Sequence, residues 1–258
     1  MIIKIPKNKI QKIDIINIQG GITASQVYKK YKPDYFINLA LYDMATGTNI
    51  THLKDEGVAS GYLFSNEGIG IKGDAEIIFC TKNDKTVRDF VAGSPVLVKN
   101  GAKFIDWGNK KSEYVCGSHI RSTIGFNANE IILFNSDKKM DLNELSKALI
   151  SENCQFAINL DGGGSCHLQK GSKVYRKSTR ANASWLLVYL KQEEFEMYKF
   201  TNNSSKSLPV YETTSCKKKI GSLDPYETCD CLYEDDTFKV VLYNITGKEE
   251  RKVGFIKG

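Results

Sequence analysis

Short apolar runs closed by turn residues succeed one another along this chain, with little helical periodicity between them. Residues 14–18, 35–39, 57–64, 75–80, 95–98, 121–126, 130–134, 156–160 and 185–190 read as strands, as do the residues directly after Met1. Residues 23–31 read as a short helix. Residues 142–153 read as a clearer one. Asp141 can cap it, Glu144 completes a capping box, and Leu142, Leu145, Ala148 and Leu149 fall on one face. Many strands with a late helix imply an α+β fold, expected here as a twisted, mostly antiparallel sheet with few helices.

Residues 199–206 are small and polar and read as a linker, which divides the chain into a large domain over 1–198 and a small module over 207–258. The whole chain carries a net charge of +6. Residues 201–258 hold nine Lys/Arg and nine Asp/Glu, so the excess belongs to the large domain, where an anionic partner would be met. The longest basic run is Lys217-Lys218-Lys219, too short to argue for nucleic acid.

No apolar stretch approaches the roughly 20 residues of a spanning helix, and the N-terminus has no signal-peptide core. The expectation is a chain that is cytoplasmic at synthesis, either an intracellular enzyme or a phage-associated or released protein. Seven scattered cysteines, an odd number, read as reduced thiols and not as a disulfide framework. Cys229-x-Cys231 lacks a second pair at zinc spacing. No cofactor is expected and no dedicated metal cluster is visible, with a carboxylate-bound Ca²⁺ left open.

Three segments can carry chemistry. In the first, Asn159 and Leu160 lead into Asp161, then Gly162, Gly163, Gly164 and Ser165. A carboxylate at a strand end suits acid–base or nucleophilic work, and consecutive glycines let backbone approach a ligand closely. The segment lacks the Lys of a phosphate-binding loop and does not open a helix; Ser165, Cys166, His167 and Leu168 read as another strand. The plainer reading is a glycine-rich hairpin bulge. In the second segment, His119 and Arg121 alternate about Ile120 and would share one strand face. The third places Asn38 and Asp43 in an otherwise core-like run.

Together these segments resemble the phosphodiester glycosidase family. The family's Asn-Leu-Asp-Gly-Gly-Gly-Ser signature stands here as Asn159 to Ser165, and its His-Pro-Arg-Thr-Ala-Ile-Gly block is similar to His119 through Gly125. Its turn before a Leu-Val strand is similar to Gly93-Ser94-Pro95. Its late Arg is similar to Arg180, followed by Asn182. The early Asn-Gly-Gly-Phe-Phe-Asp block is matched only by Asn38 and Asp43, and Leu39 and Ala40 in place of glycines would narrow or reshape the pocket. The tail resembles a bacterial SH3-like β-barrel, a module that binds cell-wall peptide, docks on a protein partner, or has no ligand of its own.

The resemblance implies hydrolysis of a sugar-1-phosphodiester at the anomeric carbon. Asp161 would be base or nucleophile, Arg121 would pair with the phosphate, and His119 would protonate or orient the leaving group. Gly162, Gly163, Gly164 and Ser165 would hold phosphate or sugar hydroxyls, with Asn38, Asp43, Gly93, Ser94, Asn159 and Arg180 also at the substrate. Asp43 and Glu67 compete as a second carboxylate. The alternative is a phage or bacterial module that binds or sequesters a glycan or nucleotide-sugar-like ligand without turnover.

Overall fold

The computed structural model describes residues 1–62, 64–108, 113–192, 197–244 and 250–257. The chain divides into two compact units, Met1–Lys191 and Gln192–Gly258. The division therefore falls before the stretch expected as a linker. Tyr198–Thr201 is already a strand of the second unit, paired with Thr228–Glu234. The polar residues after it form an internal turn: buried Asn202 donates to the carbonyls of Lys206, Leu223 and Asp224 at 2.9, 2.9 and 3.1 Å.

The first unit contains three antiparallel sheets where one was expected. The first sheet runs Ile2–Pro6, Glu130–Asn135, Ser122–Phe126, Phe156–Asn159, Val96–Lys99, Ala102–Asp106 in spatial order. The second runs Lys173–Arg176, Leu168–Lys170, Tyr35–Asn38, Asn182–Leu190, Ile10–Ile22. The third runs Val58–Ser60, Leu53–Asp55, Asp89–Ala92, Glu67–Lys72, Glu76–Thr81. Of the strand expected over 57–64, residue 63 lies outside the described residues and the strand found is Val58–Ser60, because Gly61 turns the chain at φ +70° against the Thr51 carbonyl.

Strand alternation explains the layering. In Glu130–Asn135, Ile131 and Leu133 enter a central core, while Ile132 and Phe134 face the helix Leu142–Ser151. The central core draws on all three sheets, with Ile124 and Ile158 from the first, Ile37 and Leu186 from the second, and Leu53 and Ile69 from the third. The far face of the second sheet, with Phe36, Trp185 and Leu187, packs on Val27 of the helix Ala24–Tyr31. Burying a side chain of this size contributes about 1.5–3 kcal/mol. Among the described residues no helix is long and apolar enough to cross a membrane.

The helix Leu142–Ser151 forms as its sequence predicts. Asp141 accepts from the amides of Asn143 and Glu144 at 2.8 Å each, and Glu144 returns a bond to the Asp141 amide at 3.0 Å. Leu142, Leu145 and Leu149 are buried, as is Ser146, whose hydroxyl bonds back to the Leu142 carbonyl at 2.8 Å. Asp141→Ala is expected to lower unfolding stability by about 1 kcal/mol, read by urea denaturation. An unchanged midpoint would mean that tertiary packing alone holds the helix.

The second unit is one antiparallel sheet ordered Tyr198–Thr201, Thr228–Glu234, Phe238–Asn244, Arg251–Lys257, Leu208–Tyr211, Lys219–Leu223. Among the described residues no pairing joins its last strand to its first, so it is an open sheet and not the closed barrel expected. Cys229 and Cys231 are buried free thiols here, and Cys229 packs in this unit's core.

Candidate active site

The first and second sheets meet at the end of Phe156–Asn159, and the backbone there is bound from both sides. The Leu160 amide donates to the Ser122 carbonyl at 2.9 Å, and the Asp161 amide to the Leu39 carbonyl at 2.8 Å. Asn38 closes the junction. Its Nδ2 donates to the Asp161 carbonyl at 2.8 Å, and its Oδ1 accepts from Ser122 Oγ and the His167 amide at 2.9 Å each. Asn38 is 1% exposed, so its role is to fix the junction, not the substrate contact expected of it.

Past Asp161 the chain makes a tight turn, Gly163–Ser165, at the expected glycines, but the strand expected over 165–168 begins only at Leu168, in Leu168–Lys170. Gly163 adopts φ +59°, which side chains disfavour. At Gly164 an added Cβ would come within 2.5 Å of Arg180 Nη2. Two of the three glycine amides are already engaged: that of Gly163 donates to the Ile120 carbonyl at 2.9 Å, and that of Gly162 supports the Asp161 carboxylate.

A cleft of about 180 Å³ opens at this turn, with His119, Arg121, Asn159, Asp161, Gly162 and Gly163 in its walls. Six of the predicted residues, from two separate segments of the sequence, therefore share one cavity. Leu41, Val115 and Leu160 supply its apolar sides. Leu39 and Ala40, expected to narrow the pocket, are instead core residues, and Leu41 takes that place. A wider groove of about 940 Å³ lies at Pro6, Lys7 and Asn127 through Glu130, but none of the predicted site residues is in its described wall, so volume alone does not mark the site.

Among the described residues Asp161 is the one acidic residue in the walls of the smaller cleft. Protein surrounds its carboxyl although one edge reaches solvent. Burial pushes its pKa up to about 6, against the pull of Ser165, Arg180 and the Gly162 amide. Ser165 Oγ lies close enough to exert that pull, yet is fully buried and meets strict hydrogen-bond geometry with no group. Burial, with Arg121 and Lys139, holds His119 below its ordinary pKa and hence neutral at pH 7. Proton donation from an imidazolium is therefore disfavoured, and orientation is the role its charge state fits.

Arg121 reaches the cleft but is 2% exposed, and its guanidinium is already engaged. Nε donates to the Met140 carbonyl at 3.0 Å, and Nη2 to the carbonyls of Val115, at 2.9 Å, and Gly117. The expected shared strand face does not exist either, since pairing starts at Ser122 and His119 makes only an isolated bridge with Met140. The exposed cation beside Asp161 is Arg180, which packs on the glycine turn and lowers the pKa of the carboxylate.

Other expected substrate residues lie in the framework. Ser94 is 1% exposed and bonds Thr51 Oγ1 at 2.8 Å, and the Gly93 amide donates to the Glu67 carbonyl at 3.0 Å. Asp43 is exposed and caps its own turn through the Ala45 amide at 2.7 Å. Glu67 pairs with Lys99 at 2.8 Å. Neither carboxylate is in the cleft wall. Asn159 Nδ2 donates to the carbonyls of Ser94 and Leu160 at 2.6 and 2.9 Å, while its buried Oδ1 has no partner. The residue that the sequence reading passed over is Tyr42, whose phenol lies by Asp161, Ser165 and Arg180. Its position just before Asp43 in the Asn38 block was the available signal. Among the described residues no three His, Cys, Asp or Glu side chains gather around a metal position.

Comparison with known proteins agrees with the resemblance to the family. The model of the phosphodiester glycosidase family matches residues 15–189. The fold is similar to the catalytic domain of zebrafish N-acetylglucosamine-1-phosphodiester α-N-acetylglucosaminidase, a structure auto-inhibited by its pro-peptide. The two share 19% identity at a TM-score of 0.59, over 70% of this chain and 74% of that one. A hypothetical protein from Synechocystis is similar at 14% identity and a TM-score of 0.51, over 74% of this chain and 59% of that one. No curated protein sequence matches the chain.

Proposed function

The chain belongs to the phosphodiester glycosidase family, and on that premise we propose that it hydrolyses a sugar-1-phosphodiester at the anomeric carbon with Asp161 as the reacting carboxylate. The observation that carries this reading is a lone carboxylate at about pKa 6 in a narrow cleft, with the exposed guanidinium of Arg180 beside it.

The chemistry suits a single carboxylate. A phosphate monoester leaves as a weak base and needs little help from a general acid, so the absence of a second carboxylate among the described cleft walls is tolerable. At neutral pH Asp161 is ionised. Its charge stabilises the developing oxocarbenium ion, and it either attacks the anomeric carbon or takes a proton from water that does. Retention of anomeric configuration marks the first course and inversion the second. Arg180 receives the phosphate, a role reassigned from Arg121 because most of the Arg121 donors already meet carbonyls. Neutral His119 orients the group opposite.

The test is a panel of sugar-1-phosphodiesters assayed for free sugar, beginning with the N-acetylglucosamine diester of the zebrafish relative's name. Active Asp161 must be deprotonated, so kcat/KM is expected to rise as pH passes through about 6 and to level off above it. A rate that falls through that window would assign Asp161 as acid instead.

Binding without turnover is the second reading. Leu41 in the cleft wall favours it, because the side chain takes space from a sugar. Ligand-induced stabilisation with no sugar released on any diester would support it. We read the second unit as an SH3-like docking module, from its short strands and the closing Gly254-Phe255.

A further inference from the structure

Residues 39–42 leave the strand Tyr35–Asn38 and cross the site. The Leu41 amide donates to Thr51 Oγ1 at 3.1 Å, and Tyr42 makes an isolated bridge with Asn49. The Tyr42 phenol donates to the Ala181 carbonyl at 2.5 Å, across 139 residues of sequence. Ala181 directly follows Arg180 and precedes the strand Asn182–Leu190. The Arg180 guanidinium lies over Gly164 on one side and meets Met44 Sδ with Nη1 at 2.6 Å on the other. Residues 42–44 and the glycine turn thus flank the exposed guanidinium, and among the described residues the Tyr42 phenol reaches backbone through its bond to the Ala181 carbonyl.

We propose that Tyr42 is a positioning residue of this site, tying the 178–182 loop to residues 39–42 and so holding the Arg180 guanidinium beside the Asp161 carboxylate. The proposal rests on the reading of Asp161 as the reacting carboxylate. Tyr42 is not itself the nucleophile. Burial and the Asp161 charge both raise its pKa, so the phenol stays protonated and donates to a carbonyl.

The electrostatic consequence can be measured. The titratable groups around Asp161 are Tyr42, Cys166 and Arg180, with His119 and Arg121 in the walls of the same cleft. Arg180 favours the ionised carboxylate, so a loosened loop lets the Asp161 pKa rise.

The experiment is a ¹³C NMR titration of the Asp161 carboxyl in the full chain, for wild type, Tyr42→Phe, Arg180→Gln and the double variant. Phenylalanine keeps the ring and removes the phenol's bond to Ala181 together with its polar contacts to Ser165 and Arg180, so the double variant decides whether the effect runs through Arg180. The midpoint is expected to rise by roughly half a pH unit in Tyr42→Phe and by more in Arg180→Gln. The double variant is expected to match Arg180→Gln alone, because Tyr42 acts through that side chain. An unmoved midpoint in Tyr42→Phe, or a Tyr42→Phe shift that adds in full to that of Arg180→Gln, overturns the proposal. The titration needs no substrate, so a chain that cleaves no diester defeats the hydrolase reading without touching this one. On an active chain, the rising limb of kcat/KM should move upward by the same interval as the titration.

Discussion

Asp161→Asn is expected to lower kcat on a sugar-1-phosphodiester by at least about a thousandfold while leaving diester binding nearly unchanged. Asparagine keeps the size and hydrogen-bonding reach of the side chain but can neither attack carbon nor accept a proton. Arg180, which would hold the phosphate, is untouched. The same substitution should stabilise the fold. In the unfolded chain this carboxyl ionises near 3.8, and in the folded one at about 6. Between those values the native state holds a proton that the unfolded state has lost, so its stability declines as pH rises through about 4 to 6 and stays lower above. The variant escapes this loss, an effect of up to about 3 kcal/mol at pH 7. Turnover against melting temperature, for both proteins at pH 4.5 and 7, reads the two effects together. Equal rates would remove Asp161 from the mechanism. An unchanged pH dependence of stability would show the carboxyl to be ordinary.

The second large effect concerns Asn38. Alanine there removes three buried bonds at once and leaves the Asp161 carbonyl, the Ser122 hydroxyl and the His167 amide short of a partner. The expected cost is about 3–5 kcal/mol of unfolding stability. Turnover should fall as well, because the backbone under Asp161 loses its clamp. Asn38→Asp should fare little better, since a carboxylate oxygen would face the Asp161 carbonyl. Urea denaturation with diester kinetics on Asn38→Ala distinguishes the two roles offered for this side chain. A framework role predicts the stability loss. A variant of near-native stability whose KM alone rises would return Asn38 to the substrate.

Much of the local structure could be read from the chain. The helix Leu142–Ser151 needed only its own cap and its own apolar spacing. The strands Phe156–Asn159 and Glu130–Asn135 were evident because an unbroken apolar run is a backbone buried on both faces. Short strands such as Leu53–Asp55 and Asp89–Ala92 passed unnoticed. Charged residues enter those runs, and the partners that stabilise them lie elsewhere. Asp89, for instance, is buried with its carboxylate accepting from the Glu56 amide, 33 residues away, at 2.8 Å, besides pairing with Arg88 at 2.7 Å.

The sequence by itself determined the family, the acidic residue at the end of its strand and the glycine turn after it, because a strand end, a cap and a left-handed glycine are set within a few residues. Only the tertiary structure decided what each polar side chain does. Asn38 and Arg121 carry the same functional groups whether they meet a ligand or the backbone. What settles the matter is a carbonyl 123 residues from Asn38 and the carbonyls of Val115, Gly117 and Met140 around Arg121. The exposed cation beside Asp161 thereby became Arg180, and the unforeseen neighbour became Tyr42, bonded across 139 residues. Hydrogen-bond donors satisfied inside the fold are lost to substrate, and chain folding, not local spacing, determines which ones those are.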